Sequence, residues 1–506
     1  MIKTSWLVPA ATLGATWLGS ALWLNCTKTP PTVVEGPPLR LVLTGYMDGY
    51  MEPCGCASAQ AGGLDRRALW FKLNKHRYDL HLEGGNLVHG NDPLERLKFL
   101  EIHTLLTQFM GYDLLPIGPL DLKLGMEELS YGVTDEGGAP FLASDLRKVE
   151  GKTLKPPFLV HAIRKAGTYR VLVLSIAGAL PEDPGYKLLE PVAAVRAAIA
   201  GAGKRGTHWD LCLVFANHGG AEQARTLAKT LPGVDIVAGF AKTLETTEKV
   251  QTFERDAATT GVARTTLLLP GWRGKNLLLW EGRHDRSGSW ATITAKKLAL
   301  QVPPNVEKGK RPPGSDKAVW DYMIQVKQRI GARSEGEGLG ILEQMAEQRP
   351  AKNGARYVGK KACAPCHAEA YEIHMDDGNP HINAWASLVA REKADDWPVT
   401  RHPECVRCHV VGYGDRSGFI NVEKTPKLID VGCEACHGAG SAHVAAWRPL
   451  QAKLVKKQEI DAKAMAAARE KGLLGKAGPR SCFACHDFEQ SPGFNFQDRW
   501  EQIEHK

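Results

Sequence analysis

Cys433-Glu-Ala-Cys436-His437-Gly-Ala-Gly-Ser-Ala-His443 is one of four stretches that decide what the last third of this chain folds around. Its companions are Cys363-Ala-Pro-Cys366-His367, Cys405-Val-Arg-Cys408-His409 and Cys482-Phe-Ala-Cys485-His486. In each, two thiols at this spacing suit thioether bonds to the two vinyl groups of one haem, and the adjacent His lies under the ring as proximal iron ligand. Zinc is the alternative, because Cys-x-x-Cys is also half a zinc ribbon. Zinc gives no reason for a His directly after the second Cys four times running. The reading is four covalent haem c groups. Around them the segment has few strand signals and little aliphatic content outside its Ala-rich helices. It is therefore predicted to be mainly α-helical, organised by porphyrin, and largely unfolded without it.

Each iron has a sixth position. A second His there gives a low-spin electron carrier, and an open position admits substrate. The histidines outside the motifs in this segment are His374, His381, His402, His443 and His505, five candidates for four irons, with Met375 a weaker one. Spacing alone does not pair them.

The flanks of the motifs carry a resemblance. Cys433 to His443, Cys405-Val-Arg-Cys408-His409-Val-Val-Gly412-Tyr413-Gly414 with the following Gly418-Phe419, and Cys482 through Ser491-Pro-Gly-Phe494 to Trp500 and His505 match in order and surroundings. From about Tyr357 to His505 the chain resembles the tetrahaem cytochromes best known from ammonia-oxidising bacteria. The resemblance implies little regular sheet, haems stacked in close pairs, and distal ligation by His381, His443 and His505. His381 lies in Asn379-Pro-His381-Ile-Asn383, where relatives carry a different run preceded by Trp, and His374 stands near that Trp position. The choice between His374 and His381 stays open at this point. The family sometimes keeps one haem five-coordinate.

Working outward, 506 residues leave room for several domains. The net charge of +8 is mild, and no dense basic stretch interleaved with aromatics argues for nucleic acid. The divisions read as 1–36 leader and tether, 37–300 an α/β domain, 301–350 linker and helical connector, and 351–506 the tetrahaem domain. After Met1-Ile-Lys3 comes an uncharged apolar run from Trp6 to Leu24, and then Cys26-Thr-Lys-Thr-Pro-Pro31. An uncleaved anchor, a lipidated Cys26 and ordinary cleavage all fit, and all three export the body of the protein. The expected location is periplasmic or cell-surface, tethered to the membrane through the N-terminus.

From Leu39 to about Leu300 short β-branched runs alternate with amphipathic segments, which predicts an α/β layered domain. Strands are expected at Leu39–Thr44, Tyr78–Leu82, Tyr112–Ile117, Tyr169–Ile176, Asp210–Ala216, Val234–Ala238, Ala263–Leu269, Asn276–Trp280 and Trp290–Lys296. Helices are expected at Asp65–Asn74, Leu94–Phe109, Val192–Ala200 and Ala221–Leu231. Thr44-Gly-Tyr46-Met-Asp48-Gly-Tyr50, Gly62-Gly-Leu-Asp65-Arg-Arg67, Glu83-Gly-Gly-Asn86, Gly118-Pro-Leu-Asp121 and Ala216-Asn-His218-Gly219 follow in an order that resembles the metal-site loops of 5′-nucleotidase-type metallophosphoesterases. Such an enzyme needs a full set of Asp, His and Asn ligands for two cations. Here Tyr46, Asp48, Asn86, Pro119-Leu120 and Gly239-Phe-Ala-Lys242 replace most of them, and only His218 remains.

The first loop adds Glu52-Pro-Cys54-Gly-Cys56, two thiols that suit metal binding, redox cycling or an idle pair. Cys212, within Asp210-Leu-Cys212-Leu-Val214, is expected to be a buried small hydrophobe. The expected function is electron relay, exchanging with redox partner proteins or quinol-linked membrane oxidoreductases. A multihaem reductase working at an open iron, and a phosphoesterase with an electron-transfer tail, are the alternatives.

Overall fold

The computed structural model describes residues 34–54, 61–131, 140–204, 207–240, 250–285, 288–303, 310–335, 340–349, 354–395, 397–487, 491 and 493–505. The apolar run at the N-terminus, Cys26, Cys56 and Lys242 lie outside them. In the first part, here called the head, ten strands build the two larger sheets. In chain order they are β1 (Val34–Leu43), β2 (Leu80–Leu82), β3 (Ala162–Ala166), β4 (Tyr169–Ile176), β5 (Leu211–Ala216), β6 (Ile236–Ala238), β7 (Gln251–Glu254), β8 (Arg264–Leu268), β9 (Asn276–Asp285) and β10 (Trp290–Ala299). The first sheet has the order β10-β9-β1-β2 and the second β7-β8-β6-β5-β4-β3, with β4, β5, β6 and β8 parallel.

Alternation along the strands explains the layering. Leu39, Leu41 and Leu43 of β1 face Val171, Val173, Leu213 and Phe215 of the other sheet in one cluster between the two. Leu172, Leu174, Cys212 and Val214 point the opposite way, against α3 (Pro191–Gly203) and α4 (Gly220–Thr230). Both faces of the second sheet are thus covered, and its strands read as continuous apolar runs. Cys212 is fully buried mid-strand. On the far side of the first sheet, Val42 packs with α1 (Leu64–Leu73) and α2 (Pro93–Thr104). Asp92 starts α2 by accepting from Leu94 N and Glu95 N, with Pro93 in the first turn, where its missing N–H costs no bond. The domain is therefore four layers, α/β/β/α.

Several elements differ from expectation for physical reasons. The helix expected over Leu94–Phe109 is α-helical to Thr104 and then widens into a π-helical turn, Leu105–Phe109. β9 runs past Trp280 to Asp285 because the polar stretch Glu281–Asp285 pairs with both neighbours. The hairpin partner β3 and a small sheet of Leu146–Glu150, Thr153–Lys155 and Tyr186–Leu188 were not anticipated. Those segments are short and charged, and only Thr153–Lys155 is exposed throughout, so none shows the regular alternation that marks a half-buried strand.

Two helices, α5 (Lys317–Glu335) and α6 (Ile341–Gln348), follow the head. Val319, Met323, Val326 and Ile330 of α5 are buried in the same cluster as α1 and α2. That cluster also takes in Leu388, Trp397, Val399, Val406, Val410, Val411, Phe419 and Leu428 from the haem segment. Gly331 of α5 lies so close to Pro398 that a Cβ would collide with its ring. Beyond residue 354 the described residues form helices and turns, with a single bridge, Val410 to Ile429. The helices used below are α7 (Ala368–His374), α8 (Ala384–Asp395), α9 (Pro403–Val406), α10 (Cys433–His437), α11 (Ser441–Val455) and α12 (Ala462–Lys471). Among the described residues no helix is long and apolar enough to cross a membrane.

Candidate haem-binding site

Each Cys-x-x-Cys-His stretch closes into a single helical turn. His367 N donates to Cys363 O at 3.0 Å, His486 N to Cys482 O at 2.8 Å and His409 N to Val406 O at 2.8 Å, while the third motif forms α10. None of the eight motif cysteines is in a disulfide. The turns lie against one another in an order unlike the chain's. The side chains of Cys363 and Cys433 lie side by side, as do those of Cys408 and Cys485. Ser481 donates to Cys436 O at 3.3 Å beside Cys482. The spatial sequence is thus first, third, fourth, second motif.

Three motif histidines face a second histidine. Imidazole centroids are 5.9 Å apart for His367 and His443, 6.0 Å for His381 and His486, and 5.9 Å for His437 and His505. Two imidazole nitrogens each about 2 Å from one metal put the ring centroids about 6 Å apart, so these pairs fit a shared iron. The ring orientations fit as well. Nδ1 of His437 donates to Gly475 O at 2.9 Å, that of His443 to Gly472 O at 2.8 Å and that of His505 to Ile503 O at 3.0 Å. With the proton held on Nδ1, Nε2 keeps its lone pair for a metal. His486 Nδ1 meets Ser491 Oγ at 3.1 Å, a hydroxyl that can serve as donor or acceptor.

His409 is held the same way, Nδ1 to Ala384 O at 2.6 Å, yet no second imidazole faces it among the described residues. His402 is elsewhere, buried edge-on to Trp397 at 5.4 Å with Nδ1 lacking a hydrogen bond, and burial pushes it down to about 4. His374 faces no motif histidine. Its Nε2 is buried without a partner, and burial, helped by Lys360, pushes it down to about 4. The structure thus brings His381, His443 and His505 to motif histidines and leaves His374 and His402 apart. Met375 is the C-cap of α7 and its backbone N–H returns to Tyr371 O.

The second motif is seated on the head. Lys98 of α2, 3 % exposed, reaches Glu404 Oε1 at 2.6 Å and Glu95 Oε1 at 3.2 Å. Lys327 of α5 pairs with Glu52 and lies 4.2 Å over the Trp397 ring. Lys98, Lys327 and Glu404 carried no motif, so nothing in the linear sequence singled them out. Glu52 is in the loop that leads to Cys54, whose backbone bridges to Ala61.

The head's loops converge as their order suggested, but their polar groups are already engaged. Asp48 accepts from His89 Nδ1 at 2.6 Å, Arg273 Nε at 3.0 Å and Trp272 Nε1 at 3.2 Å. Burial would raise its carboxyl, but His89 and Arg273 outweigh that and hold it below its ordinary value. Tyr46 stacks on Phe240 at 3.9 Å. Asn86 Nδ2 donates to Asn217 O, and Asp121 accepts from Asn86 N, Leu87 N and Gly118 N. Burial pushes Asp121 up to about 7 against the pull of those donors. His218 packs its Cβ where Gly178 leaves room. Tyr46, Asp48, Asn86 and Arg273 all have positive φ, four of the six such non-glycine residues described. These loops hold a costly backbone around Asp48, beside which Arg273 supplies the positive charge. Sequence reasoning missed His89, Trp272 and Arg273, which no motif marks.

Residues 362–438 match the family described as Cytochrome c554 and c-prime. Cytochrome c-554 of Nitrosomonas europaea is 36% identical over 95 residues, which is 17% of this chain and 40% of that protein. The chain therefore spans well under half the length of the curated relative it matches. Among solved structures, a 5′-nucleotidase precursor from Thermus thermophilus covers 59% of this chain and 60% of its own, at 17% identity and a TM-score of 0.48. The NAD nucleotidase of Haemophilus influenzae covers 68% of this chain and 82% of its own, at 9% identity and a TM-score of 0.49.

Proposed function

We propose that this chain is an exported c-type cytochrome that relays single electrons through four covalently attached haems, one on each Cys-x-x-Cys-His turn. The observation that carries the reading is the pairing of three motif histidines with second histidines at separations of 5.9 to 6.0 Å. His367, His409, His437 and His486 are the proximal ligands. His443, His505 and His381 complete the first, third and fourth irons, and the eight motif cysteines form the thioethers. Haem, once attached, supplies one-electron exchange at an iron whose potential follows its ligands, burial and hydrogen bonds. The chain's own part is to hold four of these imidazoles, those of His409, His437, His443 and His505, in one tautomer through Nδ1, so that they do not reorient as charge changes. Attachment of this cofactor takes place outside the cytoplasm, which supports export to the periplasm or cell surface. The N-terminus serves as the membrane tether, and the exchange partners are redox proteins or quinol-linked oxidoreductases.

His409, which no second imidazole faces among the described residues, favours a second reading at one centre, a reductase working on a small nitrogen or sulfur species. The hydrolase reading of the head is opposed by Asp48, whose two oxygens are taken up by His89, Trp272 and Arg273. The test is the intact mass and the oxidised electron paramagnetic resonance spectrum of the full haem-loaded chain. Four haems with three low-spin irons and one high-spin iron are expected. Fewer than four haems sinks the relay reading as stated. Four low-spin irons unchanged by nitric oxide or cyanide remove the reductase.

A further inference from the structure

We infer that the α11–α12 hairpin is the docking surface for an acidic electron-transfer protein, delivering or taking electrons at the first-motif end of the haem row. The inference rests on the relay reading above and adds the partner's chemistry and its place of contact. Between Arg448 and Arg480 the chain has nine basic and three acidic side chains, a surplus of six out of eight for the whole protein. All nine basic side chains are exposed, and none forms an ion pair among the described residues. Cations that served the fold would be paired or buried, as Lys98 is. A solvated cluster of one sign instead steers an oppositely charged partner.

The same hairpin exposes apolar side chains, Leu454 at 61%, Val455 at 77% and Leu473 at 85%. Large aliphatics among lysines are the composition of a contact patch, an apolar centre with a charged rim. Its position matters as much as its charge. α11 carries His443, which faces His367, and Gln451 of α11 bonds to Pro365 O inside the first motif. Gly472, at the end of α12, receives His443 Nδ1, one residue before the exposed Leu473. The opposite end of the row, the second motif, is covered by Lys98 of the head, which reaches Glu404, and by Lys327 of α5, which lies over Trp397. Of the two ends, the first-motif end is thus the one open to a visitor.

The experiment uses the full haem-loaded protein and flavodoxin hydroquinone, chosen only as a strongly acidic one-electron donor. Haem reduction is followed by stopped flow over a range of ionic strength, with a neutral quinol as control donor. Two charge-reversal variants are compared with the parent: Lys453→Glu with Lys456→Glu and Lys457→Glu, and Lys463→Glu with Arg469→Glu and Lys471→Glu. The bimolecular rate with flavodoxin should fall about tenfold or more at low salt, and its salt dependence should flatten. Haem content and the quinol rate should stay at parental values. The matching Lys→Gln and Arg→Gln sets should fall between. Unchanged flavodoxin rates and salt slope overturn the inference. So does loss of binding to phosphatidylglycerol vesicles with the flavodoxin rate intact, which would make the hairpin a membrane face. A parent protein that carries no haem, or that quinol cannot reduce, overturns the relay reading itself before any variant is compared.

Discussion

The head and the haem segment bury their apolar side chains in very different amounts. In the head, two clusters fill the space between the sheets and the space under α3 and α4, with aliphatics such as Leu39, Leu172 and Val214 fully buried. From Cys433 to His505 the described residues bury only two apolar side chains, Leu450 and Ala468. Leu450 at about 2 kcal/mol and Ala468 at less than about 1 kcal/mol cannot offset the conformational entropy of fixing so long a segment. Leu388 to Leu428 lies between these extremes, because its apolar side chains join the cluster under α1, α2 and α5. The contrast is therefore between a head that its own residues can hold and a tail whose last part needs a group from outside the sequence. The second motif is attached to the former rather than the latter.

The largest effect that tests this contrast is removal of haem. Protein made without haem attachment should keep head amide protection close to that of the haem-loaded form. Residues 433–505 should exchange with opening free energies near zero, and 397–428 should keep part of their protection. Hydrogen exchange read by mass spectrometry resolves the three zones. Equal protection of 433–505 in both forms would remove the distinction.

A second test addresses the head alone. Arg67 and Glu83 form an ion pair at 2.7 Å with both side chains fully buried, and Thr44 also donates to Glu83. Arg67→Met leaves an unpaired charge in the core and should cost about 3–5 kcal/mol of head stability, while Arg67→Met with Glu83→Gln recovers much of it. The haem spectrum should not change in either variant. A shifted spectrum would mean that head and tail are coupled more tightly than their cores suggest.

The same contrast explains which features are legible in the linear sequence. The Cys-x-x-Cys-His turns were legible because their chemistry is local, five residues carrying the whole signal. The long strands β4 and β5 were legible because burial on both faces leaves continuous apolar runs. Pairing His381 with His486, and His443 with His367, was not legible from spacing, because it depends on how turns far apart in sequence meet. The resemblance named the three distal histidines and could not choose between His374 and His381, whereas the fold turns only His381 toward a motif histidine. The order of the head's loops was legible, but Arg273 beside Asp48 was not, since its role exists only once the loop after β8 returns to the first strand.

The smallest expected effect lies at the seam itself. Glu404 precedes Cys405 and takes Lys98 at 2.6 Å. Burial would raise its carboxyl, but Lys98 and His402 outweigh that and hold it down at about 2. Its folded value is below the unfolded value of about 4.3, so the pair's stabilisation is complete above that pH. It is lost as pH falls through the folded value near 2. Because the Glu404 side chain is 49% exposed, solvent screens the pair, and Glu404→Gln should cost about 1 kcal/mol or less at neutral pH. The variant should lose the acid limb that the parent shows between about pH 4 and 2. If the second motif is held by the head, exchange protection over 397–428 should fall in this variant while 433–505 stays unchanged. A loss in 433–505 instead would place the seam elsewhere and join the second motif to the haem-dependent part of the tail.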